Sequence, residues 1–376
     1  MLIATSKMIL AVILAPVLRK IYPEVWLVGE RRDQARDNGY CFFRYVRSSY
    51  PESNAYYIID AGGDIDRIKE LGNVVVYNSF KHYLLFAIAD VHISSHANVF
   101  WPDNVRRIGW IVNRIKFKRV FFPHGVSYGY TAWATKKRAN FDLFFCSGHL
   151  EYQNVLNNYG YAEHEVAYVG IPRLDLWHEP VEVNKKQILL MPTWRARIVY
   201  DKDCNFVETA YYNAFQKFFD DKFLQAFLTN NGYKLVFYLH HDMQRFAEWF
   251  HSPCPNIEIV KDEYDIQDLL RTSALLITDY SSVHFDFAYM KKPVIYYQFD
   301  ADDFFTHQYQ KATFTAEDHG FGPVAYNSNQ LIEHLIAAGK QGFVLTDFYL
   351  GRMRDFYRIY DDNNSERVYR VIKNST

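Results

Sequence analysis

The chain reads as an α/β protein made of two doubly wound domains, and three observations predict this. Short apolar runs of strand length alternate with stretches of helical periodicity along the 376 residues, the rhythm of parallel strands joined by crossover helices. The runs number about a dozen, more than one open sheet holds comfortably. Residues 177–186, W-H-E-P-V-E-V-N-K-K, are a polar stretch with a proline, where a seam would divide an N-terminal domain at 21–180 from a C-terminal domain at 181–348.

Residues 1–20 are set apart from both. An apolar run at 8–18 is broken by Pro16 and followed by Arg19 and Lys20, and it is too short to span a bilayer. No small-residue cleavage site follows it. Two readings stand: a membrane-surface segment with Lys7, Arg19 and Lys20 at anionic head groups, or a first helix docked on the fold. Strands are expected at 24–28, 55–59, 74–77, 91–94, 120–123, 143–146 and 166–169, then at 187–191, 234–238, 257–260, 275–278 and 294–297. Helices are expected between them at 36–49, 79–87, 148–159, 210–230, 266–271 and 329–338. A last helical segment, in the tail 349–376, is placed near the seam.

The formal net charge of −1 gives no electrostatic case for nucleic acid. Aromatics reach 18%, with 30 Tyr and 30 Phe; they serve first as core filler and second as stacking surfaces. Cys41, Cys146, Cys204 and Cys254 lack CxxC spacing, so neither a zinc pattern nor a disulfide framework is read, and a reducing setting is.

Ligands of open parallel sheets sit beyond the carboxyl ends of the strands, so the residues just after each strand carry the chemistry. His124-Gly125 follows one strand: an imidazole, then a residue that lets backbone approach a ligand. Gly170-Ile171-Pro172-Arg173-Leu174-Asp175 is a tight turn with a cation, and Pro192-Thr193-Trp194-Arg195 supplies a hydroxyl and a guanidinium. Leu239-His240-His241-Asp242 ends another strand. After 275–278, Asp279, Ser281 and Ser282 open a helix whose free N–H groups suit phosphate. Singly, each has an ordinary reading as a surface pair, a solvated loop or a helix cap. Together they are a set of hydroxyls, arginines and histidines suited to a diphosphate. His240 and His241, adjacent on extended chain, point to opposite faces and do not chelate one ion. No metal site is assigned; acidic clusters at 201–203 and 300–303 are the weak signal that keeps Mg²⁺ open.

These residues resemble a family. Thr278-Asp279-Tyr280-Ser281-Ser282-Val283 with Phe285-Asp286-Phe287 is similar to the signature of the CDP-glycerol glycerophosphotransferases, primases and polymerases of teichoic acids and related capsules. His124-Gly125 matches the family's HG, residues 170–175 its GxPRxD, 192–195 its PTWR, 320–324 its GFGPV and 364–368 its closing NSERV. Near the start, 26–29 and 35–40 resemble its WLxGE and ARDNGY. The family has HP where this chain has His240-His241; His240 is aligned with the histidine.

The resemblance implies two Rossmann-like domains facing across a cleft, the glycosyltransferase-B type, with a CDP-polyol held by the C-terminal domain and the acceptor by the N-terminal one. It implies transfer of a polyol phosphate, glycerol phosphate foremost, to a hydroxyl of a lipid-linked or polymeric acceptor with release of CMP. On this reading His124 is the general base and His240 meets the leaving phosphate. Arg195, Thr193, Asp279, Ser281, Ser282 and Arg173 bind the donor, the hydroxyls and guanidiniums neutralising phosphoryl charge; no cofactor is required. Residues 105–119 interleave Arg106, Arg107, Arg114, Lys116 and Lys118 with apolar side chains, as a solvated helix face or as a surface for acceptor or anionic lipid. The expected place of work is the cytoplasmic face of a bacterial membrane. Two other functions are carried: a nucleotide-sugar glycosyltransferase of the same fold, and a non-catalytic peripheral membrane assembly factor.

Overall fold

Strands whose residues are buried on both faces belong in parallel sheets covered by helices, and the computed structural model, which describes residues 2–96, 101–103, 105, 115–261, 264–308 and 314–375, contains two such sheets. The first has seven strands: β1 Trp26–Gly29, β2 Ala55–Ile59, β3 Val74–Val76, β4 Val91–Ser94, β5 Lys118–Phe121, β6 Leu143–Cys146 and β7 Val166–Tyr168. The second has six: β8 Asn184–Leu190, β9 Lys234–Tyr238, β10 Ile257–Val260, β11 Ser273–Thr278, β12 Val294–Tyr297 and β13 Val324–Ala325. Every pairing is parallel. The orders, β3-β2-β1-β4-β5-β6-β7 and β10-β9-β8-β11-β12-β13, share one logic: the chain winds outward one way, returns to the centre and winds out the other. The switch points, where loops diverge to leave a crevice, therefore lie between β1 and β4 and between β8 and β11.

By contacts the chain divides into unit 1, Met1–Ser127, Thr131–His178 and Ile359–Thr376, and unit 2, Tyr128–Tyr130 and Glu179–Arg358. The tail read as one segment from residue 349 is two helices. Asp347–Phe356 belongs to unit 2 and Asn364–Ser375 to unit 1.

Two elements depart from expectation for local reasons. The single helix expected at 210–230 is two, Ala210–Asp220 and Lys222–Asn231. Asp221 interrupts it, because its carboxylate accepts from the N–H groups of Phe223 at 2.8 Å and Leu224 at 3.1 Å, starting a new helix rather than extending the old. Strand β13 was missed, since two residues carry no readable period. Gly322 brings its approach so close to β12 that a Cβ there would lie 1.7 Å from the Val294 carbonyl oxygen.

The first helix runs Leu2–Ile21 through Pro16, which removes one backbone hydrogen bond without ending the helix. Met8 and Ala11 are buried in a cluster with Leu27, Phe86 and Ile88. Ile3, Leu10, Ile13, Val17 and Ile21 stay exposed along the helix. The segment is thus a docked helix that also shows an apolar stripe. Among the described residues no helix is long and apolar enough to cross a membrane. Aromatics fill the unit 2 core: Phe215, Phe219, Phe237 and Phe250 pack ring to ring at centroid distances of 5.0 to 6.0 Å, the arrangement expected of edge-to-face contacts.

Candidate functional site

In unit 1 the chemistry begins with a helix cap that is not the obvious one. Asp37 sits at the N-cap of helix Asn38–Ser49, yet its side chain makes no capping bond. Glu30, just past β1, does that work: its carboxylate accepts from the N–H groups of Asp37 at 3.0 Å and Tyr40 at 3.1 Å. Gly39 allows this close seat, since a Cβ there would lie 2.6 Å from the Gly29 carbonyl oxygen. Glu30 is fully buried. Burial, and next the charge of Asp37, push its pKa up to about 8.

Relieved of capping, the Asp37 carboxylate serves two partners. One oxygen takes His124 Nδ1 at 2.8 Å and the other the Arg173 guanidinium. Arg173 also donates to the His124 carbonyl oxygen at 2.8 Å. Asn38 ties the strand ends together, donating to the Pro123 carbonyl oxygen at 3.0 Å and accepting from Arg173 N–H at 3.0 Å. Burial works to raise the Asp37 pKa, but Arg173 and His124 outweigh it and hold the carboxylate well below its ordinary range. The His124 side chain is 63% exposed. An exposed imidazole anchored through Nδ1 by an ionised carboxylate leaves Nε2 toward solvent as the proton-accepting nitrogen. His96, at the end of β4, lies 5.2 Å away ring to ring. Its pKa falls to about 4, through burial first and then the His124 charge, which favours its neutral form.

In unit 2 the strand ends of β8, β11 and β12 meet around Arg195. Its guanidinium contacts Asp279 at 2.9 Å and Asp300 at 2.7 Å, among the rings of Tyr211, Tyr280, Phe299 and Phe304. Burial opposes its charge; the two carboxylates outweigh burial and raise its pKa above the ordinary value. Asp279 also accepts from Thr193 N–H at 2.7 Å and Tyr280 N–H at 2.6 Å, which sets the turn carrying Ser281 and Ser282. Both serines are half-buried, and neither hydroxyl has a hydrogen-bond partner among the described residues. His240 lies half-buried with its ring stacked on Trp194 at 6.2 Å, whereas His241 is exposed. His240 is the member of the pair on the Pro192–Arg195 loop.

Two residues expected to bind the donor are held in buried ion pairs. Arg173 is buried in unit 1 behind His124, because its charge answers Asp37. Arg195 is neutralised by two carboxylates and only 5% exposed, so it braces the loops instead of presenting a cation. Thr193 is likewise buried. The acidic run at 300–303 is explained in part by ion pairs, Asp300 with Arg195 and Asp303 with Arg197. Arg106, Arg107 and Arg114 lie outside the described residues. Lys116 and Lys118 lie at the amino end of β5, the sheet edge opposite His124, beside Glu24, Asp90 and Lys373. Sequence reasoning missed Asp37, Glu30 and Asp300 as site residues. The 35–40 segment carried a signal only through the family likeness; by itself Asp37 falls inside the helix expected at 36–49.

Other motifs proved to be scaffold. Gly170 has φ +88°, and a Cβ there would lie 1.8 Å from Asn364 Oδ1. Asp175 accepts from the N–H groups of Asn364 at 2.9 Å and Ser365 at 2.8 Å, which seats the C-terminal helix.

Known proteins resemble this chain in sequence and in fold. The chain is 32% identical over 371 residues to the minor teichoic acid biosynthesis protein GgaB of Bacillus subtilis (strain 168), covering 93% of this chain and 39% of that protein. It is 29% identical over 202 residues to a teichoic acid poly(glycerol phosphate) polymerase of Bacillus spizizenii, covering 48% of this chain and 47% of the relative. The chain thus spans less than half the length of these curated relatives. The structure of the wall teichoic acid polymerase TagF superposes with a TM-score of 0.65 at 15% identity, covering 100% of this chain and 98% of that one, a likeness of fold. A match over residues 12–374 places the chain in the CDP-Glycerol:Poly(glycerophosphate) glycerophosphotransferase family.

Proposed function

We propose that this chain transfers a polyol phosphate from a CDP-polyol to a hydroxyl of a lipid-linked acceptor or growing envelope polymer, releasing CMP. Within the family, the observation that carries the reading is the exposed His124 held through Nδ1 by ionised Asp37. In the reaction the acceptor oxygen bonds to the β-phosphorus while its proton passes to His124 Nε2. The bond from that phosphorus to the bridging oxygen breaks, and CMP leaves with the electron pair. Asp37 and Arg173 act as positioning residues for His124. Ser281 and Ser282 hydrogen-bond the donor phosphates, and His240 meets the leaving phosphate. Arg195 and Asp279 support the reading by holding the serine turn in place.

The test is CMP release from the purified full chain, with CDP-glycerol, CDP-ribitol and UDP-sugars offered beside a lipid-linked acceptor. Turnover of a CDP-polyol alone is expected. Turnover of a UDP-sugar, or of no donor in a chain that binds none, would defeat the reading.

The same reading places the protein on an anionic membrane surface at the cytoplasmic face. The exposed stripe Ile3, Leu10, Ile13, Val17 and Ile21 supports it, with Arg19 and Lys20 at the helix end that leads into β1. Partitioning to anionic vesicles should weaken as salt rises, because head-group attraction is screened beyond about 10 Å at 0.1 M. Equal partitioning to neutral vesicles would remove the electrostatic part.

A further inference from the structure

Beside the serine turn of unit 2, where β11 and β12 end, lies a cavity of about 420 Å³. Its walls include the rings of Tyr280, His284, Tyr296 and Phe314. His284 is 2% exposed. Its Nδ1 faces the Ser281 carbonyl oxygen at 2.8 Å, and because a carbonyl only accepts, Nδ1 must carry the proton. Burial lowers the ring's pKa to about 3, so the imidazole is neutral and Nε2 is an acceptor. That nitrogen has no hydrogen-bond partner among the described residues, an expensive state for a buried polar atom unless a ligand completes it.

Other polar groups of the cavity add acceptors. Gln298 donates one amide N–H to the Asp279 carbonyl oxygen at 3.3 Å, which leaves its oxygen and a second N–H. Asp302 is exposed on the lining, with no side-chain hydrogen bond among the described residues. No lysine or arginine is among the described lining residues. As its described residues line it, the cavity offers acceptors, the carboxylates of Asp302, Glu317 and Asp318, and aromatic walls, a setting unfavourable to phosphate. It suits an uncharged ligand rich in donors.

We infer that this cavity receives the polyol end of the donor, with the hydroxyls of the polyol donating to His284 Nε2, Gln298 and Asp302 while the diphosphate stays outside on Ser281 and Ser282. This rests on the CDP-polyol reading above and adds to it the group that selects the polyol. His284 couples the two subsites, since the ring that receives the polyol is fastened to the residue that receives phosphate.

Calorimetry on the full chain with CDP, CDP-glycerol and CDP-ribitol tests it. The parent should bind at least one CDP-polyol more tightly than CDP. His284→Asn keeps a donor for the Ser281 carbonyl and removes the Nε2 acceptor. It should weaken that CDP-polyol roughly 3–10-fold and leave CDP within twofold. Asp302→Ala, at an exposed position that spares the fold, should act in the same direction. Equal binding of CDP and both CDP-polyols by the parent would overturn the inference without any variant. Equal losses for CDP and CDP-polyol in His284→Asn would overturn it too, giving the cavity to the nucleoside. If CDP itself fails to bind the parent, the functional reading falls first.

Discussion

The two units answer one electrostatic problem differently. Both wind their sheets in the same order and bury an arginine against an aspartate at the strand ends: Arg173 with Asp37 in unit 1, Arg195 with Asp279 in unit 2. Unit 2 adds a second carboxylate, Asp300, which takes Arg195 on its other side at 2.7 Å. Unit 1 adds a histidine instead, His124, on the free oxygen of Asp37. Two carboxylates around one guanidinium close the network and make it a brace. One carboxylate shared by a guanidinium and an exposed imidazole leaves a titratable group facing water. The difference teaches that a buried ion pair at a strand end becomes chemistry only when one member keeps an exposed partner.

The largest expected effect comes from removing that partner. His124→Ala should lower turnover about 10²–10⁴-fold with CDP-polyol binding retained, toward the lower end if the transfer is dissociative. A folded variant within a few-fold of the parent would return His124 to a structural role.

Next is the inequality of the two arginines. Arg195→Met strands two buried carboxylates and should cost about 3–5 kcal/mol in denaturant unfolding. Arg173→Met strands one, which His124 still partners, so the loss should be smaller. Equal losses would break the comparison.

Replacing Ser281 and Ser282 together by Ala should weaken CDP-polyol binding roughly 10–100-fold, the scale of hydrogen bonds to a charged group. Unfolding midpoints should barely move, since these half-buried hydroxyls hold nothing else. Unchanged CDP affinity in the folded double variant would take phosphate away from this turn.

The last expected effect is on the pH dependence of stability, bounded at one proton. Glu30 has its folded pKa raised to about 8 from an ordinary 4.5. Between these values the folded chain holds a proton that the unfolded chain releases. Stability should therefore fall as pH rises from about 5 to 8, with a slope no steeper than about 1.4 kcal/mol per unit. Glu30→Gln should flatten that slope. Urea midpoints with the same slope in both proteins would show that Glu30 does not carry it.

Much of this was legible in the residues alone. Alternating apolar runs and helical periods determined two parallel sheets, because burial on both faces demands continuous apolar strands. The strand-end rule drew attention to His124, His240, Ser281 and Ser282, since loop chemistry follows directly from where a strand stops. Only the tertiary structure decided what Arg173, Arg195 and Asp37 do. An arginine reads the same in sequence whether it meets a ligand or an aspartate 136 positions away. Asp37 lay inside the helix expected at 36–49, and nothing local shows that it is the N-cap residue or that Glu30 does the capping. Side-chain pairing between distant strand ends depends on register and burial, which the one-dimensional pattern does not carry. The same holds for His284, which no sequence pattern singles out and whose orphaned nitrogen becomes visible only in the folded chain.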